Sequence, residues 1–539
     1  MRKGKHALAV SILMILPVIF ILCGLNFNRT WFSGDPEYAY LLNGINIADL
    51  KMVGHTDNPG TTVQIYSAVV LSFSHFLNSS EKNGLRHAVL KNPDHYVELE
   101  RKVSVIINGT MILVLGVVSF FFLKNIWLSL ILQITPFLSS NLLEHAWTKV
   151  SPEPALVFTV AVFVIALLAY YCSVNRQCRF YPWIFALICG FGLATKMTFL
   201  PLMIIPLILL EGRKQKWIYL SAIILFFIFF TIPAIPQYPH MVKWFLNLST
   251  HTGIYGQGDI GVISPLRYIN DIGAILKNNI ALTVGILTTL TLLFILFLKG
   301  NFRNRMKMHS ELKFAAAVLT AQLLGILMVA KHYHSNHYLI PEISLIGLLM
   351  VFVILCLGNF FIEKRVWIFN LLSAGVLCIL ITISLFNIPC LVEADHGYRI
   401  TNEEYSLVMR RIEKEYPGYV KTYYYPTSIN PYSALRWGSV YSKQYNLPAL
   451  CALYPDVIFY DTRINAFQLW ETEFFAKDLV REYGRKILLI GGPMTSEEKE
   501  KVKKGGLALK ELYFGRTQAV YEVDTANSVI FKGLIKANP

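Results

Sequence analysis

The chain has 539 residues, of which 54% are hydrophobic and only 15% are charged. This composition excludes an ordinary soluble protein of several domains, because such proteins carry more charge and less apolar surface. The apolar residues gather in stretches of about 17 to 23 residues, the length that a helix needs to cross about 30 Å of hydrocarbon. The sequence therefore predicts a polytopic membrane protein.

The formal net charge of +15 has its origin mainly in short loops between the apolar stretches. That distribution follows the positive-inside rule of membrane proteins and argues against a nucleic-acid-binding surface. Residues 1–5 carry three basic side chains and residues 7–25 are apolar, which also resembles a signal peptide. The apolar run is long and no clear small-x-small cleavage site follows it. We therefore expect a retained first helix with a cytoplasmic N-terminus.

About eleven membrane spans are predicted, at residues 7–25, 103–123, 126–142, 154–174, 182–195, 198–210, 217–234, 279–298, 314–330, 340–357 and 366–388. With the N-terminus inside, the longer outer segments are residues 26–102, 143–153, 233–278 and 331–338. The odd number of spans also places the C-terminal residues outside. Most ionisable residues that are not topology signals therefore lie on the outer face.

The composition divides the chain into two domains. Residues 1–390 form the membrane domain with a first outer loop at 26–102, and residues 391–539 have the composition of a soluble extracytoplasmic α/β domain. Within the second domain the pattern predicts helices at 402–416 and 474–483, strands at 419–425, 456–460 and 486–490, and a last helix capped by Thr495 or Ser496.

The first outer loop begins with SGDPEYAYLLNGINIA at residues 33–48. A carboxylate beside an apolar membrane surface is a stronger base than one in water, and Asp35 or Glu37 could take a proton from an acceptor hydroxyl. The alternative is structural, because Asp35 before Pro36 is also a common helix start. HTDNPG follows, where Pro-Gly predicts a turn and His55 and Asp57 add an imidazole and an acid. Such a pair is also common in polar loops.

Three further outer segments carry ionisable side chains. EHAWTKVSPEP contains Lys149 and Glu153, and Glu153 is either a reactive acid or a carboxylate that stabilises the start of the next helix. Lys196 in GLATKMTFLP interrupts an apolar stretch, which indicates an ion or phosphate site or a side chain that reaches the interface. KHYHSNHYLIP contains His332 and His337, for which phosphate contact, metal binding and ordinary packing all remain open.

Taken in order, these motifs resemble the multi-spanning glycosyltransferases of the GT-C superfamily, such as the protein O-mannosyltransferases and the bacterial aminoarabinose transferases. The resemblance covers residues 1 to about 390 and implies an α-helical GT-C membrane fold. It also implies transfer of a sugar from a polyprenyl-phosphate-linked donor to a lipid, glycan or protein on the outer face, in the bacterial inner membrane. A polytopic lipid or sugar transporter or flippase is the main alternative.

The resemblance also assigns roles to individual residues. The implied catalytic acids are Asp35, Glu37 and Glu153, the implied ligands of the donor phosphate are Lys149, Lys196, His332 and His337, and the implied acceptor- or donor-binding residues are His55, Asp57 and Tyr38. This chain has Asp-Pro-Glu where relatives often have Asp-Glu, so the base is either Asp35 or Glu37. No cofactor is certain, and participation of a divalent cation stays open.

Overall fold

The computed structural model describes residues 2–29, 34–77, 84–298, 310–361, 366–425, 430–461, 464, 466–470, 473–474, 479, 486–504 and 507–524. Contacts between residues divide the chain into two compact units. The first comprises Met1–Phe27, Thr56–Ile65 and Glu100–Glu393, and the second comprises Asn28–His55, Tyr66–Leu99 and Ala394–Pro539.

The first unit is built from helices. In chain order, α-helices cover Arg2–Leu13, Ile15–Asn26, Thr61–Leu77, Pro93–Leu123, Ile126–Gln133, Ser140–Thr148, Pro152–Cys172, Phe180–Thr195, Ile204–Leu209, Arg213–Phe230, Tyr238–Thr250, Pro265–Asn278, Ile280–Leu298, Ser310–Ala330, Ile340–Ser344, Ile346–Phe361, Val366–Phe386 and Ile388–Glu415. Short 3₁₀ turns lie at Thr135–Leu138, Met197–Met203, Ile232–Gln237, Ile254–Gly256 and Asn336–Leu339. The helices Thr61–Leu77, Pro93–Leu123 and Ile388–Glu415 continue into the second unit.

All eleven predicted spans fall on helical segments, but not every observed helix is long enough to cross a membrane. Within the described residues, seven helices are long and apolar enough to cross a membrane, or eight if the pair Arg213–Phe230 and Ile232–Thr250, bent by 86°, counts as one span. The apolar helices Phe180–Thr195 and Met197–Leu209 are shorter. Prolines explain part of the difference, because Pro136 and Pro201 lie within the 3₁₀ turns that interrupt the α-helices.

Burial separates the central from the peripheral helices of the first unit. The apolar window of Asn336–Asn359 is 89% buried, whereas those of Ala7–Asn26 and Ile280–Leu298 are 28% and 39% buried. Because a peripheral helix of a membrane protein exposes its apolar side chains to lipid, low burial of an apolar span is expected there. Asn336–Asn359 is therefore the core segment of this unit.

The second unit contains a mixed seven-stranded sheet, which confirms the expected α/β domain. Its strands are β1 (Val420–Tyr425), β2 (Ile458–Asp461), β3 (Ala466–Gln468), β4 (Glu473–Phe474), β5 (Ile487–Gly491), β6 (Ala508–Phe514) and β7 (Ala519–Asp524), in the order β4-β3-β2-β1-β5-β7-β6. β1 pairs in parallel with β2 and β5, and the remaining pairs are antiparallel. Side chains of β1, β2, β5 and β7 form one apolar cluster on the sheet.

Several predicted elements of this sheet are present. The strands predicted at 419–425, 456–460 and 486–490 correspond to β1, β2 and β5, and the helix predicted at 402–416 is the end of Ile388–Glu415. Of the helix predicted at 474–483, Phe474 lies in β4, and residues 475–478 and 480–483 lie outside the described residues. The short elements Pro431–Tyr441, Leu447–Leu453, β3, β6 and β7 were not predicted.

Part of the first predicted loop belongs to this second unit. The helices Ala39–Ala48 and Gly84–Lys91 pack against Pro431–Tyr441 and Leu447–Leu453 respectively. The Asn43 amide nitrogen donates to the carbonyl oxygen of Tyr441 at 3.0 Å. The sequence alone places a boundary near residue 390, whereas these contacts join residues 28–55 and 66–99 to the C-terminal sheet.

Candidate active site

The predicted HTDNPG turn meets the segment around Lys196 in the first unit. The main-chain nitrogen of Gly60 donates to the oxygen of Thr195 at 3.2 Å, and that of Met197 donates to the oxygen of Asn58 at 3.0 Å. Gly60 has a φ of 70°, a conformation that suits glycine. The HTDNPG turn is therefore held antiparallel to the backbone on both sides of Lys196.

Lys196 and Glu153 form a buried ion pair. The Lys196 ammonium donates to a carboxylate oxygen of Glu153, and the two residues are only 3% and 4% exposed. Glu153 lies in the first turn of helix Pro152–Cys172, and Lys196 follows the last residue of Phe180–Thr195. The positive end of one helix dipole and the ammonium group together stabilise the charged carboxylate.

Aromatic and imidazole rings surround this ion pair. The Lys196 nitrogen lies 4.4 Å from the ring centroid of Tyr338, a distance at which a cation is attracted to the ring face. The rings of His145 and His337 lie 4.9 Å apart, and His337 Nδ1 is 2.7 Å from the Ser335 hydroxyl. Burial lowers the pKa of His145, which favours the neutral imidazole.

The other predicted site residues of this unit contact segments away from the ion pair of Lys196 and Glu153. His332 Nε2 donates to the oxygen of Leu248 at 2.7 Å, and burial lowers the pKa of His332. Asp57 pairs with His240 at 3.5 Å. Lys149 is half-buried at the end of helix Ser140–Thr148. Of the predicted phosphate ligands, Lys196 is a member of the ion pair and His337 lies near it, whereas His332 contacts another segment.

In the second unit, the SGDPEYAY motif forms a π-helical turn over Gly34–Tyr38. Such turns are frequent at functional sites. The backbone of Asp35 lies in this turn, and its side chain is outside the described residues. Glu37 is 1% exposed and lies 3.6 Å from Arg29, whose Nε also donates to Glu98 at 2.9 Å. Glu37 is therefore the partner of a buried guanidinium group.

Tyr38 and His55 are also buried in the second unit. The Tyr38 hydroxyl donates to the carboxylate of Asp94, and burial together with this carboxylate raises the pKa of Tyr38. The His55 ring packs edge-on against Tyr40 and Tyr441, with centroids 5.3 and 5.4 Å away. Both predicted ligand-binding residues thus have protein neighbours in this structure.

Sequence reasoning missed the site contributions of His145, Tyr338 and Arg29. His145 lies in the motif EHAWTK with Lys149, and Tyr338 lies in the motif HYLIP with His337. Their part in the site is evident only from the contacts between helices. Within the described ranges, no group of three or more His, Cys, Asp or Glu side chains is arranged to hold a metal ion.

The helical membrane portion and the C-terminal α/β sheet agree with the fold class that the sequence resemblance implied. The crystal structure of ArnT from Cupriavidus metallidurans bound to undecaprenyl phosphate shares this fold, with a TM-score of 0.54. The likeness covers 97% of this chain and 98% of that one, at 10% sequence identity. No protein-family model matches the chain, and no curated protein matches it.

Proposed function

We propose that this chain is a membrane glycosyltransferase that moves a sugar from a polyprenyl-phosphate-linked donor to a lipid, glycan or protein acceptor. One observation carries the proposal: the fold likeness to ArnT extends over both chains almost completely, and that ArnT structure is bound to undecaprenyl phosphate. The same likeness favours a transferase over a transporter or flippase, because the second unit is included in it.

Lys196 is the proposed contact for the donor phosphate. Its ammonium group forms an ion pair with Glu153 and also lies against the ring of Tyr338. The lipid phosphate gains negative charge as its bond to the sugar breaks. A fixed cation stabilises that charge. His337 lies in the same cluster as a further ligand.

Glu153 is better suited to hold Lys196 than to act as a base. A carboxylate that is paired with an ammonium group is stabilised in its charged form, and this makes it a weaker proton acceptor. Without Glu153, Lys196 would be a buried cation with no carboxylate partner among the described residues. We therefore assign Glu153 as a positioning residue for Lys196.

Asp35 is the proposed general base. Glu37 is buried and already occupied in an ion pair with the Arg29 guanidinium, so Asp35 is the acid of this motif that we assign to the reaction. In the proposed reaction Asp35 takes the proton of the acceptor hydroxyl or amine, the acceptor atom bonds to the anomeric carbon, and the bond to the phosphate oxygen breaks. Polyprenyl phosphate is then the leaving group. Following the positive-inside rule, we place this reaction on the outer face of a bacterial inner membrane.

The source strain provides a test that does not require the sugar or the acceptor to be known. Deletion of the gene should cause a polyprenyl-phosphate sugar to accumulate, because the transferase that uses this donor is absent. Mass spectrometry of the lipid extract would identify the accumulated lipid. The wild-type gene should reverse the accumulation. Asp35→Asn should fail to do so, since loss of a general base slows transfer by about 10²- to 10⁴-fold.

Asp49→Asn is the matched control, because Asp49 is another acid of the same loop and pairs with Arg86. It should complement the deletion at normal protein levels. An unchanged pool of polyprenyl-phosphate sugars in the deletion strain would refute the proposed donor class. Full complementation by Asp35→Asn would refute only the assignment of the base.

A further inference from the structure

Glu342 is a carboxyl group buried in the core segment of the membrane unit. It lies in helix Ile340–Ser344, within Asn336–Asn359, and is 0% exposed. Among the described residues, neither of its carboxylate oxygens has a hydrogen-bond partner. The sequence motifs did not identify it, and the proposed transfer reaction does not use it.

The neighbouring helix Ser310–Ala330 provides the space that Glu342 occupies. A Cβ atom placed on Gly325 would come within 2.0 Å of Glu342 Oε1, so only glycine fits there while the carboxyl stays in place. One turn earlier, the fully buried Gln322 donates from Nε2 to the main-chain oxygen of Glu342 at 3.0 Å. Gln322 Oε1 also has no hydrogen-bond partner within the described ranges.

The helix of Glu342 packs against Thr135–Leu138, Pro152–Cys172, Met197–Met203, Ile280–Leu298, Ser310–Ala330, Asn336–Leu339 and Ile346–Phe361. The ionisable side chains on these elements are Glu153, Tyr170, Tyr171, Cys172, Glu311, Lys313, His337, Tyr338 and Cys356. In the part of the chain that the structure describes, none of them pairs with Glu342, and the adjacent Lys196 is paired with Glu153.

An isolated carboxylate at this position would be very costly. Moving a charged carboxylate out of water without a partner costs several kcal/mol or more, and an ionisable group in this situation takes up a proton instead. A protonated carboxyl is neutral and can donate one hydrogen bond. Intramembrane acids that are kept despite this cost commonly bind protons or ions.

We propose that Glu342 is a proton-binding site inside the membrane unit. The carboxylate takes one proton from water and remains a neutral carboxylic acid while its helix is packed against Gly325 and Gln322. Tyr338 lies four residues before Glu342, so the bound proton stabilises the segment that places the Tyr338 ring over Lys196. Loss of the proton would leave a charge in an apolar interior and favour movement of this segment.

Infrared spectroscopy of the purified full-length protein in lipid nanodiscs tests the proton directly. At neutral pH the wild type should show the carbonyl stretch of a protonated carboxylic acid, with a shift to lower frequency in D₂O. Glu342→Gln, which keeps the shape of the side chain, should lose this band. Glu311→Gln should retain it, because Glu311 is a separate acid whose Oε1 accepts a hydrogen bond from the Tyr171 hydroxyl. Identical spectra of wild type and Glu342→Gln in this region would overturn the proposal.

A second measurement tests the position of the carboxyl. Gly325→Ala should lower the midpoint of thermal unfolding and shift the carboxylic-acid band, because the new methyl group displaces Oε1. The same substitution in a Glu342→Ala background should cause a much smaller loss. Gly375→Ala is the matched control on another span, since a Cβ atom there meets nothing within 4 Å. Equal losses in both backgrounds would contradict this placement of Glu342.

Discussion

At the scale of single residues, the pairing of Glu153 with Lys196 changes what each side chain can do. Considered one at a time, Glu153 is a reactive acid or a helix cap, and Lys196 is a phosphate ligand or an interfacial anchor. In the structure each is buried against the other. Removing one partner would leave an uncompensated charge, whereas removing both charges would not.

Substitutions of this pair should therefore be non-additive. Glu153→Gln and Lys196→Met should each lower the free energy of unfolding by about 3–5 kcal/mol, and the double variant should recover much of that loss. Denaturant unfolding in detergent would give the coupling energy. The matched control is the exposed pair of Glu497 and Lys501, whose neutralisation should cause no measurable change. Additive losses at Glu153 and Lys196 would mean that the two groups do not depend on each other.

At the scale of elements, the helix Ser496–Lys504 shows how a local pattern becomes structure. The sequence leaves Thr495 and Ser496 as alternative caps. In the structure Thr495 and Glu498 form a reciprocal capping box: the Glu498 nitrogen donates to the Thr495 hydroxyl at 3.2 Å, and the Thr495 nitrogen donates to the Glu498 carboxylate at 2.8 Å. Thr495 is therefore the cap, and the helix begins at Ser496.

Thr495→Ala should destabilise this helix by about 0.5–2 kcal/mol, because an amide at its start loses its acceptor. Hydrogen exchange of the full-length protein, measured by mass spectrometry on peptides that cover residues 496–504, would detect faster exchange. Ser496→Ala should leave the exchange rates of the same peptides nearly unchanged. Equal effects of the two substitutions would argue against the capping box.

At the scale of the whole molecule, the predicted orientation in the membrane is the feature that joins the sequence to the proposed function. The positive-inside rule places residues 175–179 in the cytoplasm and the residues after 388 outside. Two native cysteines lie in these positions: Cys178 is partly exposed between helices Pro152–Cys172 and Phe180–Thr195, and Cys390 is exposed in helix Ile388–Glu415.

Single-cysteine variants should report this orientation in intact cells. A membrane-impermeant maleimide added from outside should label Cys390 and leave Cys178 unlabelled, because the reagent does not cross the bilayer. Permeabilised cells provide the control in which both cysteines are accessible. Labelling of Cys178 together with protection of Cys390 in intact cells would reverse the proposed topology and move the proposed reaction to the other face.

Composition and hydrophobic periodicity by themselves determined that the chain is a polytopic helical membrane protein with a C-terminal α/β domain. These properties depend on local burial preference and on the length of each apolar run, which neighbouring residues encode. The strands β1, β2 and β5 were predictable for the same reason, since each is a short apolar run between turns. The two short segments on either side of Lys196 were predicted as separate spans, whereas the break at Pro136 was not, because apolar content continues through it.

Only the tertiary structure decided which distant residues meet. It joined the HTDNPG turn to the segment around Lys196, paired Lys196 with Glu153 and placed Tyr338 over the ammonium group. It also left Glu342 without a partner in the described core. A single sequence reports the type and local order of its side chains, but ion pairs and buried polar groups depend on how helices far apart in the chain pack together.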